Sequence, residues 1–375
     1  MAKDIYKKLA RHLDNLPGGF PSTKSGVELR IVRRLFTLEE AELALHLTLI
    51  PEEPWLIAHR AKITTDEADQ RLEEMAGKGL ILRIAPGRRQ PKYMAAQYAI
   101  GIWEYHVNNL DPELIRDMEE YLPTLLNVDV WKKAPQLRTI PVGRSISHQL
   151  EVLSYEKAEE LVRAQKRFAV VPCICRRERK MVGEGCDKPE ESCLVLGGAV
   201  DYYLRSGIGR IIDLEETLEI LKKGDKAGLV LQPSNSKKIV NLCCCCGCCC
   251  AILRNIKRHP KPASLVSTPF VASANPATCE GCGVCVERCQ MEALYLEDEK
   301  VVLDIDRCIG CGLCVSTCPT GSLSLVRKPE SQQPEVPRSF LETLFRLGRV
   351  RGKLGPINIA KLKLKSKLDR YLASR

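Results

Sequence analysis

Nineteen cysteines constrain this 375-residue chain more than any other feature, and all of them lie between Cys173 and Cys318. Three facts exclude a disulfide framework. The count is odd, the charged start MAKDIYKKLARHLDNLP has no apolar leader, and the chain is long enough to build its own cores. Metal binding is what remains. Eight of the cysteines form two copies of one spacing, C-x2-C-x2-C-x3-C, in CEGCGVCVERCQ (279–290) and CIGCGLCVSTCP (308–319). The copies repeat at an offset of 29 residues, and the match runs on, with Ala293, Leu294 and Leu296 aligning with Ser322, Leu323 and Leu325. Three thiolates at such intervals can wrap one cuboidal cluster, each on a different iron, and the fourth lies beyond that wrap. Structural zinc takes two C-x2-C pairs across a longer spacer, which this pattern is not.

The segment resembles the bacterial-type two-[4Fe–4S] ferredoxins over about 50 residues. The resemblance implies crossed ligation. Cluster one would use Cys279, Cys282, Cys285 and Cys318, and cluster two Cys308, Cys311, Cys314 and Cys289. Gly281, Gly283, Gly310 and Gly312 would let backbone N–H groups approach sulfur. Gln290 stands where the family's first motif usually has proline, which changes the turn after Cys289 but removes no ligand.

Eleven cysteines remain: Cys173, Cys175, Cys186 and Cys193 in one group, and Cys243, Cys244, Cys245, Cys246, Cys248, Cys249 and Cys250 in CCCCGCCC. Whether helix or strand, that run cannot aim all seven sulfurs at one centre. A third iron–sulfur centre drawing on both groups is expected, against the plainer readings of small buried hydrophobes, zinc or a redox thiol pair. Near the first group a strand should end at Pro172, and ESCLVLGGAVDYYL reads as a helix. With PCICRRE, CLVLGGAVDYYLR, LQPSNSKK and CCCCGCCC included, the whole chain resembles multidomain 4Fe–4S binding proteins of anaerobic bacteria. No particular substrate follows from that likeness.

The expected fold class is α+β and multidomain. Residues 1–140 read as a mostly helical, winged-helix-like domain, 150–265 as a cysteine-rich α/β domain, and 270–328 as the ferredoxin-like domain. A Pro-rich linker (KPESQQPEVP, 328–337) and basic tail complete 329–375. TLEEAELALHLTLI has helical spacing at Leu38, Ala41, Leu45 and Leu49, and Thr64 with Glu67 marks a capping box. The strand-like LILRI, the basic turn PGRRQPKY and the apolar MAAQYAIGIW follow. The candidate recognition helix sets Asp66, Glu67, Asp69, Glu73 and Glu74 against Arg71 and Lys78, which argues against nucleic acid. Only Arg88, Arg89 and Lys92 favour it.

The formal charge of +10 is concentrated in the tail, where eleven Lys or Arg between Pro337 and Arg375 face only Glu342 and Asp369. IAKLKLKSKLDRYLASR reads as a solvated, frayed terminus, with peripheral contact to an anionic membrane or acidic partner as the other reading. No stretch reaches the roughly 18 apolar residues of a membrane span, so the chain is read as cytoplasmic. GxGxxG, P-loop and nucleophile-elbow motifs are absent, and the six histidines (12, 46, 59, 106, 148, 259) are scattered. The expectation is an electron carrier or oxidoreductase subunit working with a redox partner protein. The alternatives are an iron–sulfur transcriptional regulator and an enzyme acting at a cluster.

Overall fold

The computed structural model describes residues 4–85 and 90–373 as a mixture of helix and sheet. They divide into two compact units. One draws on Met1–Asn127, Asp201–Ile208 and Leu344–Arg375, the other on Val128–Val200 and Gly209–Thr343. The wing residues Arg88 and Arg89 lie outside the described residues.

The first unit is built from short helices and one hairpin. Helix Leu38–Ala44 starts in a full capping box, with Thr37 Oγ1 accepting from the Glu40 N–H while the Glu40 carboxylate accepts from the Thr37 N–H. It ends earlier than the apolar spacing implies. Thr48 Oγ1 takes the Ile50 N–H, and the Glu52 backbone pairs with Tyr93, drawing the chain onto the hairpin. Helices Pro54–Ala61 and Thr65–Gly77 lead into β1 (Ile81–Ile84) and β2 (Lys92–Ala95), which pair antiparallel with Ile81 opposite Ala95. MAAQYAIGIW continues the strand only to Ala95, after which an irregular turn at Tyr98–Ile102 buries Tyr98 against Phe20 at 4.7 Å between ring centroids. On the acidic helix, Glu73 accepts from Arg83 Nε and Tyr93 Oη, both at 2.6 Å.

The tail is not frayed. Residues 356–373 form a helix fixed by a buried polar network. Glu52, fully buried, accepts Arg60 Nη1 at 2.6 Å, Arg60 Nη2 at 2.8 Å and Ser366 Oγ at 2.6 Å, while Arg60 Nε reaches Asp369 at 2.6 Å. Burial pushes the Glu52 carboxyl up, and the Arg60 and Ser366 hydrogen bonds more than reverse this, leaving it below its ordinary value. Removing one partner of such a pair leaves a buried charge uncompensated.

In the second unit, β3 (Phe168–Pro172), β4 (Glu191–Leu196), β5 (Arg210–Ile212), β6 (Val230–Pro233) and β7 (Asn241–Cys245) form an antiparallel sheet in the order β5-β3-β4-β7-β6. The helix expected across ESCLVLGGAVDYYL is corrected here. Glu191–Leu196 is a central strand flanked on both sides, and a 3-10 turn at Gly197–Ala199 leads into the α-helix Val200–Arg205. Burial of Leu194, Val195 and Leu196 produces an unbroken apolar run, which periodicity cannot separate from a buried helix. The cysteine-repeat segment adds β8 (Phe270–Ala274) paired with β11 (Leu323–Arg327), and the hairpin β9 (Leu294–Glu297) with β10 (Lys300–Leu303). Arg288 pairs with Asp225 at 3.0 Å and Arg327 holds both Glu156 oxygens at 2.9 and 3.0 Å, joining this segment to the sheet domain. No helix among the described residues is long and apolar enough to cross a membrane.

Arg60→Met should destabilise the first unit by about 3–5 kcal/mol through the stranded Glu52 charge. Lys363→Met on the exposed face of the same tail helix should change it by less than about 0.5 kcal/mol. Urea unfolding followed by far-UV circular dichroism measures both.

Candidate metal centres

Local geometry aims the eight repeat cysteines into two apolar pockets. One is lined by Cys279, Cys282, Cys285 and Cys318 with Val301 and Leu323, and the other by Cys289, Cys308, Cys311 and Cys314 with Leu294 and Ile309. The last cysteine of each motif thus lies in the pocket of the other motif's triplet. Tight turns make this approach feasible. Gly281 and Gly310 have φ of 72° and 63°, and a Cβ at Gly310 would sit 2.2 Å from the Phe270 carbonyl oxygen. Backbone N–H groups point at sulfur, from Ala272 to Cys308 at 3.3 Å, Ala293 to Cys289 at 3.2 Å and Gly281 to Cys279 at 3.4 Å. Burial pushes the Cys311 thiol up to about 12 and Cys314 also upward. Such groups become thiolates when a bound cation supplies the compensating charge. At Cys318 burial acts upward too, but the Thr320 hydroxyl and the N–H groups of Leu323, Thr320 and Ser322 bring it below the ordinary value. Four sulfurs, apolar walls and inward N–H groups suit a cuboidal iron–sulfur cluster.

Residues 278–322 match the 4Fe-4S dicluster domain family. The chain therefore contains an iron–sulfur, ferredoxin-type domain that binds 4Fe–4S. No curated protein and no solved structure matches the chain.

Outside this ferredoxin-type domain, the eleven irregular cysteines divide three ways. Cys186, Cys246, Cys248 and Cys249 bring their sulfurs within 4.8 Å of one another, with Cys186–Cys246 at 3.9 Å, Cys186–Cys249 at 3.5 Å and Cys248–Cys249 at 3.8 Å. A tetrahedral thiolate site with metal–sulfur bonds of about 2.3 Å has edges of about 3.8 Å. These four fit a single ion better than a cuboidal cluster.

Six others meet in a closed circuit: Cys173 contacts Cys175 and Cys193, Cys250 contacts Cys175 and Cys245, and Cys243 contacts Cys193 and Cys245. Strand pleating explains half of it. Cys243 and Cys245 share one face of β7, and Cys193 on β4 is registered directly opposite Cys243. Cys173 and Cys175 follow the end of β3, and Cys250 precedes helix Ala251–Lys257. With each thiol beside two others of the circuit, Cys173, Cys243 and Cys250 are held well below the usual thiol range and Cys175, Cys193 and Cys245 are pushed well above it. Cys244, on the opposite face of β7, lies near Gly224 and is pushed up to about 12 by burial.

Arg176 is the buried charged residue of this region that sequence reading passed over. It is buried beside these sulfurs and donates to the carbonyls of Pro189 at 2.9 Å and Cys244 at 2.8 Å. Its one signal was position, immediately after Cys175 in PCICRRE.

Cys318→Ala should damage cluster binding in the pocket lined by Cys279, Cys282 and Cys285 and spare the pocket lined by Cys308, Cys311 and Cys314. Iron analysis with EPR of the reduced protein tests this, and loss at the second set would contradict the crossed pockets.

Proposed function

We propose that the protein is an iron–sulfur electron-transfer protein or redox subunit. Its ferredoxin-type domain would hold two [4Fe–4S] clusters, on Cys279, Cys282, Cys285 and Cys318, and on Cys289, Cys308, Cys311 and Cys314. When bound, such a cluster accepts and releases single electrons at potentials set by its surroundings. The chain's contribution is placement and shielding. Cys285, Cys308 and Cys314 belong to one buried apolar cluster with Ala272, Leu294 and Val301, so the same packing serves both pockets and keeps water from their inner walls.

The observation that carries the reading is the contact between the two kinds of cysteine segment. The Gly247 N–H donates to Gln290 Oε1 at 2.7 Å, and a Cβ on Gly247 would sit 2.1 Å from the Gln290 carbonyl oxygen. Gln290 follows Cys289 directly, and Gly247 lies between Cys246 and Cys248. The departure from proline at this position therefore has a use, since its side chain grips the CCCCGCCC loop. A metal ion on Cys186, Cys246, Cys248 and Cys249 would fix that loop. A third iron–sulfur centre would belong to the six-cysteine circuit.

At the outer end, Cys282 is exposed, and Glu280, Glu297, Asp298 and Glu299 around it are exposed too. A redox partner protein with a basic face suits that end, where long-range attraction speeds encounter.

Anaerobically purified protein should be brown, contain at least about eight irons and as much acid-labile sulfide, and take up about one electron per cluster in a reductive EPR titration. A colourless preparation with zinc and no sulfide would end this reading. Gly247→Ala should force the loop from Gln290, destabilise the second unit by about 1–3 kcal/mol in urea unfolding, and leave the iron of the ferredoxin-type domain in place.

A further inference from the structure

Six buried or half-buried sulfurs facing one another call for an explanation that ordinary packing does not give. A free cysteine in a core normally acts as a small apolar side chain among methyl groups. Here Cys173, Cys175, Cys193, Cys243, Cys245 and Cys250 each have two other cysteines of the same set as side-chain neighbours. The circuit is also too open for a lone ion. Among the described residues, Cys186, Cys246, Cys248 and Cys249 are the one group of three or more such ligand atoms lying within 4.8 Å of one another, and no three sulfurs of the six do so. A cuboidal cluster uses four protein ligands and would leave two of the six over.

Charge gives an independent indication. Arg176 is 3% exposed, its Nε has no hydrogen-bond partner, and the cysteines Cys173, Cys246, Cys245 and Cys193 surround it. A desolvated guanidinium that donates only to Pro189 and Cys244 carbonyls and the Ser192 hydroxyl needs an anion nearby. Thiolate-bound iron–sulfur clusters are anions.

We propose that Cys173, Cys175, Cys193, Cys243, Cys245 and Cys250 form a single iron–sulfur site that takes a cluster with more than four thiolate ligands, with Arg176 as its counter-ion. The site is separate from the single-ion set of Cys186, Cys246, Cys248 and Cys249, although the chain feeds both. Cys245 and Cys250 serve one, and Cys246 and Cys249, their immediate neighbours, serve the other. The proposal rests on the reading of the protein as an iron–sulfur carrier and deepens it.

The test uses the full chain, produced and purified without oxygen and labelled with 57Fe. The wild type should hold more iron and acid-labile sulfide than the about eight of each that two cuboidal clusters contain. Its Mössbauer spectrum should include iron environments beyond those of the ferredoxin-type domain. The double variant Cys193→Ala/Cys243→Ala should return to about eight irons with the ferredoxin-type EPR signals intact. Cys244→Ala should match the wild type.

Each other result is informative. About eight irons in the wild type with normal ferredoxin-type signals overturns the six-thiol site and leaves the carrier reading standing. Absence of all iron and sulfide removes both. Zinc in the site, or disulfides among the six cysteines by mass spectrometry of the native protein, also overturns it. Should the double variant fail to fold, the wild-type Mössbauer spectrum decides alone, and a spectrum accounted for entirely by cuboidal clusters refutes the proposal.

Discussion

Sulfur atoms gathered at one point repel one another once they ionise, and a folded chain can hold them together only if something positive sits among them. Every cysteine of this protein except Cys244 belongs to a convergent group. The second unit is therefore organised around charge that its own atoms do not supply, apart from Arg176 and scattered N–H donors. Its sheet, its turns and its half-buried Arg288–Asp225 and Arg327–Glu156 pairs are scaffolding that holds the sulfurs in position. Folding of this unit and loading with metal are then one thermodynamic process, because a site that exists only in the folded chain adds its binding energy to stability.

The ferredoxin-type domain was legible from sequence because three of the four cysteines of each pocket are local. Spacings of two and three residues fix which sulfurs can wrap together, and the glycines that permit the turns sit among them. The capping signal at Thr64 was legible for the same reason, since Thr64 Oγ1 accepts the Glu67 N–H at 3.2 Å. So was the end of β3 at Pro172.

What escaped the sequence reading was set by pairing across the sheet. Nothing near Cys193 shows that Cys243 will stand opposite it, 50 residues on. Nothing in CCCCGCCC shows that the chain turns out of a strand after Cys245, sending neighbouring sulfurs into different groups. The central strand Glu191–Leu196 was misread for a related reason, because burial on both faces erases the alternation that marks a strand. The tail looked solvated because its lysines dominate its composition, yet Ser366 and Asp369, two polar residues with no apolar signature, tie it down through Arg60 and Glu52.

The cysteine run carries a hazard of its own. In most half-buried strands, sliding by one residue exchanges apolar for polar side chains and is rejected by the core. Here such a slide would replace Cys243 and Cys245 with Cys244 and Cys246, offering the same chemistry to the same face. Sulfur alone cannot tell the right alignment from the wrong one. The decision falls to the two residues of β7 that lack it, Asn241 and Leu242, the latter fully buried and paired with Leu194. In a strand made mostly of cysteines, the leucine keeps the count.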